Sequence, residues 1–112
     1  MQIVYTMNTK VKIKNENGTS KRPVCSCGSW ISHWEKFSYE DVEKCSVDGC
    51  DNKAEHGAHI TRPNAQNETY KTASYIVPMC PSCNGQNGQT FTAKNNTTFV
   101  WANVSKTCGQ KR

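Results

Sequence analysis

Apolar and charged residues alternate near the start of the chain. Across residues 2–14, Val11 and Ile13 fall on one side and Lys10, Lys12 and Lys14 on the other. This predicts an edge strand whose lysines face water and discourage further pairing. Asn15-Glu16-Asn17-Gly18 signals a turn, and Ser20 to Pro23 extends it as a loop carrying the basic pair Lys21-Arg22. The period then changes. Trp30, Ile31, Trp34 and Phe37 form one stripe at helical spacing, and Ser29 stands where an N-cap is needed, so a helix is expected to about Phe37. Ser38-Tyr39-Glu40-Asp41 resembles a capping box and predicts a short helical turn to about Lys44. Residues 61–74 are polar and include Pro63, which reads as a long exposed loop. Tyr75 to Met79 is a short apolar strand, followed by a brief helix after Asn84. Gln89–Ala93 and Thr98–Val104 read as two strands joined by a turn at Lys94–Thr97.

Composition qualifies this outline. A chain of 112 residues suggests one domain, but only 35% of it is apolar and Leu is absent. The core should be thin, and a small domain with a thin core usually needs a staple. Seven cysteines can supply one. The first residues show no basic region followed by a long apolar run, and no segment approaches membrane-spanning length, so the expected location is cytoplasmic with no membrane partner. In a reducing compartment an odd number of cysteines favours metal ligation over disulfides. The formal charge of +5 comes from both ends around an acidic middle, since residues 35–68 hold eight of the nine acids. Metal-bound thiolates would take most of that charge back, so charge alone does not argue for nucleic acid.

The cysteine spacing carries the chemistry. Cys80-Pro81-Ser82-Cys83 is a tight knuckle fed by an apolar strand, and Cys45-Ser46-Val47-Asp48-Gly49-Cys50 offers a second pair around an Asp-Gly turn. Four such sulfurs make a closed tetrahedral zinc site. Cys25 and Cys27, with His33 one helical turn later and Cys108 brought in by folding, form a second candidate set. One or two structural zinc ions are therefore expected. Between the two knuckles lies Glu55-His56-Gly57-Ala58-His59-Ile60, a hairpin with little bulk around His59. Such a histidine could be a general base, a docking residue or incidental.

Cys45-x4-Cys50, then Ala58-His59-Ile60, then Ile76-Val77-Pro78-Met79-Cys80-x2-Cys83-Asn84, resembles the zinc-stabilised branch of the HNH nuclease superfamily over about residues 45–88. The resemblance implies an α+β fold: a small zinc-stabilised treble-clef-like domain (the ββα-metal scaffold) with short helices and antiparallel strands. The N-terminal segment 25–37 and the C-terminal strands 89–108 would pack on it. It also implies catalytic roles for His59 as general base and for Asn84 beside Mg2+ or Mn2+, on DNA or RNA. Tyr75 or Ser74 falls where the family often has an orienting Asn. Ala58 departs from the Asp that many members use as a metal ligand, and Glu55 or His56 of the same hairpin is the candidate substitute. Three readings follow: a metal-dependent endonuclease, a nucleic-acid-binding module without cleavage, and a non-catalytic zinc-stapled module for a protein partner.

Overall fold

The structure is a computed structural model that describes residues 3–16, 28–86, 88–103 and 107. Six strands dominate it: β1 (Val4–Met7), β2 (Val11–Asn15), β3 (His56–Thr61), β4 (Tyr75–Met79), β5 (Thr90–Ala93) and β6 (Thr97–Trp101). Three helices accompany them: α1 (Trp30–Ser38), α2 (Glu68–Thr72) and α3 (Pro81–Asn84). All six strands join one antiparallel sheet in the order β1-β6-β4-β3-β2-β5. The α+β treble-clef expectation is therefore corrected. A treble clef rests a substantial helix on its second knuckle, whereas α3 has four residues and the sheet carries the structure.

Two short connections force this sheet to curl. Only residues 8–10 separate β1 from β2, and only 94–96 separate β5 from β6. In a flat sheet either pair would lie four strand spacings apart, about 19 Å. Four residue steps reach at most about 14 Å. The sheet must bend until its two sides approach, giving a half-barrel. Met7 pairs with Thr97 and Val11 with Ala93, so the two connections cross the mouth side by side.

The N-terminal alternation thus describes a bent ribbon rather than one edge strand. Its first half, β1, is at an edge, and its second half, β2, lies inside the sheet between β3 and β5. Lys12 and Lys14 are exposed because they point away from the concave core, not because β2 is unpaired. The two C-terminal strands expected from the sequence form as β5 and β6, but they do not pair with each other. The turn is there, with Asn96 in the left-handed region at φ 64°, but β5 pairs with β2 while β6 pairs with β1 and β4.

The concave face buries Ile13, Ala58, Ile60, Tyr75, Val77, Met79, Ala93 and Phe99. At one end Tyr5 stacks on Phe99 at 5.2 Å and meets Tyr70 and Tyr75 edge-on. Aromatic rings supply the bulk that leucines normally would. The convex face is covered by α1, which brings Trp34 onto Ile76 and Val100 with Trp30 and Phe37 at the margins. The helix begins as its sequence predicts, with the Ser29 side chain accepting from the Ser32 N–H. It ends when Tyr39 turns left-handed, φ 58°. The predicted helical turn to Lys44 does not form; Lys44 instead bridges to Lys53. Within the polar 61–74 stretch, Asn67 caps the single helical turn of α2, which the loop reading did not anticipate.

Candidate metal centre

Two local structures deliver the four central cysteines. The first is a narrow ribbon over residues 43–54. The Cys45 N–H donates to the Asn52 carbonyl and the Ala54 N–H to the Glu43 carbonyl, with a tight turn at Asp48-Gly49. Gly49 has φ +84°, a conformation that side chains resist. The ribbon is anchored to the sheet. The Ser46 N–H donates to the Pro78 carbonyl, the Asp48 N–H to the Thr92 carbonyl, and the Lys94 N–H to the Ser46 carbonyl. Pro78 fits here because β4 pairs with β6 only through Tyr75 and Ile76, so its missing N–H breaks no ladder bond on that side.

The second is the end of β4. Cys80 is the N-cap of α3, and its sulfur accepts from the Cys83 N–H at 3.5 Å. Pro81 occupies the first helical position, where a missing N–H is harmless. The ligand atoms of Cys45, Cys50, Cys80 and Cys83 all lie within 4.8 Å of one another. Cys50 Sγ and Cys80 Sγ are 3.8 Å apart. A tetrahedral zinc with Zn–S bonds of about 2.3 Å has sulfur–sulfur edges of about 3.8 Å. The four described cysteines form no disulfide. These four cysteines can hold a metal ion such as zinc.

The electrostatics prepare one thiolate. Burial pushes the Cys45 thiol up, and burial together with hydrogen bonding to Cys80 pushes Cys83 up strongly. Burial would raise Cys80 too. Hydrogen bonds from the Cys83 backbone and thiol, the Asn52 amide and the Cys50 thiol outweigh it and bring Cys80 down to about 7. A divalent cation would replace the shared protons and draw all four sulfurs to the thiolate form. Lys94 donates from Nζ to the Cys50 carbonyl, placing a positive charge beside the cluster. Neither Asn52 nor Lys94 carries a metal-site signal in the sequence; the one hint is that Asn52 stands two residues beyond a knuckle cysteine.

Of the second candidate set, Cys25, Cys27 and Cys108 lie outside the described residues, as does Val104 of the expected C-terminal strand. His33 is fully buried on the sheet-facing side of α1, and its Nε2–H donates to the Trp101 carbonyl at 2.9 Å. Burial is the main reason its pKa is lowered. Any metal on His33 would have to use Nδ1.

His59 lies on the convex face of β3, opposite Ile76, and is 4% exposed. The Trp30 ring meets it edge-on at 4.5 Å. The small hairpin is not open space, because the α1 backbone lies on Gly57. Asn84 ends α3, and its carbonyl accepts from the Asn15 amide at 3.0 Å. Ala58 faces the concave core, Tyr75 is buried there, and Ser74 donates to the Glu16 carboxylate. Glu55 and His56 are exposed.

Comparison with protein-family models, with curated proteins and with solved structures finds no match. Among the described residues, no helix is long and apolar enough to cross a membrane.

Proposed function

We propose that this chain is a zinc-stapled half-barrel that works as a binding module, with one structural Zn2+ on Cys45, Cys50, Cys80 and Cys83. The observation that carries the reading is the convergence of four sulfurs, from segments 30 residues apart, at spacings suited to a tetrahedral ion. Four thiolates close the coordination shell, which is the structural type of site; a catalytic zinc keeps one position for water or substrate.

Hydrolysis by His59 and Asn84 is not part of this reading. A general base must reach water beside the scissile bond, whereas the His59 ring is packed between β3 and Trp30. In this reading the ring helps dock α1. The test pairs two assays on the zinc-loaded protein. One bound zinc lost with the cysteines, and no Mg2+- or Mn2+-dependent nicking of plasmid DNA, is the expected result. Nicking that disappears in His59→Ala would restore the endonuclease reading.

A further inference from the structure

Away from the metal centre, the sheet has a gap. β2 pairs with β3 only through Lys14–Thr61 and Asn15–Ile60. Beyond Thr61 the chain turns away at Arg62-Pro63, with the Ala65 N–H donating to the Arg62 carbonyl. The space left open is lined by Lys10, Val11, Lys12, Arg62, Asn64 and Ala65. Three of these are cations and none is an acid.

Arg62 is the unusual member. Its guanidinium lies 5.6 Å from the Tyr5 ring centroid and 6.0 Å from that of Phe99, and Nη1 donates to the Tyr5 hydroxyl at 3.0 Å. The rings and the phenol oxygen satisfy one side. Among the described residues, its buried Nε has no acceptor and no carboxylate pairs with Arg62. Arg62 is half-buried, so its stem is held against the rings and one N–H is left without a partner, while the rest of the guanidinium can still meet an anion. Lys10 is partly neutralised by Asp48 at 3.1 Å, across an exposed and therefore screened pair. Lys12 donates to a neutral partner, the Thr92 hydroxyl, at 3.1 Å, and among the described residues it forms no ion pair.

We propose that this gap is a binding site for a phosphate group. Arg62 is its planar anchor, Lys12 and Lys10 are its charge partners, and Asn64 is an additional donor. The planar fork suits two oxygens of one tetrahedral oxyanion. Three cations favour a phosphate over a carboxylate, which brings a single charge. The site does not depend on the metal reading, since none of its residues is a cysteine or touches one of the four sulfurs. A free phosphate and a nucleic-acid backbone present the same oxyanion to these residues, and the two arms of the test distinguish them.

The test is a titration of the 15N-labelled, zinc-loaded full chain with inorganic phosphate at constant ionic strength. Saturable shifts are expected at the Arg62 Nε–H and at the amides of residues 10–12, 62, 64 and 65. Arg62→Lys keeps the charge but loses the fork, and should weaken binding about tenfold or more, the worth of a charge-assisted hydrogen bond. Lys12→Met, at an exposed position, should weaken it several-fold and protects the test if the Arg62 variant does not fold. Shifts spread over unrelated lysines, or affinity unchanged in the folded variants, would overturn the proposal. A short single-stranded oligonucleotide forms the second arm. Tighter binding at the same residues that falls steeply with salt assigns the phosphate to a nucleic-acid backbone. Binding of inorganic phosphate alone assigns it to a small anion.

Discussion

Gly57→Ala tests the docking of α1 on β3. A Cβ built on Gly57 would lie 2.4 Å from the Trp30 carbonyl carbon, 2.6 Å from the Ile31 nitrogen and 2.6 Å from the Trp30 oxygen. All three are backbone atoms, so no side-chain rotation can relieve the clash. The helix must lift by roughly 1 Å, which loosens Trp34 from Ile76 and Val100 and Trp30 from His59. Overpacking of a tight interior costs about 1–3 kcal/mol, and a clash with rigid backbone belongs at the upper end. At about 2.1 cal/mol/K of unfolding entropy per residue, about 3 kcal/mol lowers the melting temperature of a chain this size by about 13 °C. Gly49→Ala is the control. It has open space around it but a φ of +84°, so only left-handed strain is expected, about 1–2 kcal/mol or about 4–8 °C. Thermal melts followed by circular dichroism, with zinc in excess, compare the two. If Gly57→Ala melts within about 2 °C of the parent, or above Gly49→Ala, the helix does not sit where the structure places it.

Three further outcomes follow from the same geometry. Chelating the zinc should abolish the cooperative melt, because structural zinc contributes about 10–16 kcal/mol in zinc-finger peptides while a whole domain is stable by about 5–15 kcal/mol; near-ultraviolet dichroism that persists unchanged in chelator would count against a staple. His59→Ala should destabilise by about 1–3 kcal/mol, as truncation of a buried ring does, and leave plasmid DNA as intact as the parent leaves it. Burial lowers the His33 pKa below its usual 6.5, so the unfolded chain takes up a proton first on acidification. Its contribution is therefore complete above about pH 6.5 and is lost as pH falls from there through the folded value. Denaturant midpoints in a folded His33→Gln variant should show a smaller loss over that window, and identical slopes would remove His33 as the cause.

The sequence announces some of this fold clearly. Ser29 and the spacing of Trp30, Trp34 and Phe37 are local signals, and α1 follows them almost residue for residue. The run Tyr75–Met79 is apolar without alternation because β4 is covered on both faces, by the concave core and by α1. The knuckle spacings brought Cys45, Cys50, Cys80 and Cys83 into one proposed site, and the structure gathers the same four. What stayed hidden is non-local. Lys10, Lys12 and Lys14 give the same alternation on an interior strand with one open face as on an edge strand, so β2 looked peripheral. Lys94–Thr97 has the chemistry of a hairpin turn, yet its strands find other partners because the ribbon bends. Gly57 and Ala58 read as absence of bulk around His59, when their smallness makes room for a helix backbone on one face and a core on the other. The treble-clef expectation failed for a related reason. Local spacing can fix a metal knuckle without fixing which sheet or helix the knuckle serves.

The most direct measurement is metal content by elemental analysis of the purified chain beside its Cys80→Ser/Cys83→Ser variant. The account predicts that the variant carries one zinc equivalent fewer per chain than the parent. Equal metal in the two proteins, or none in either, would contradict it.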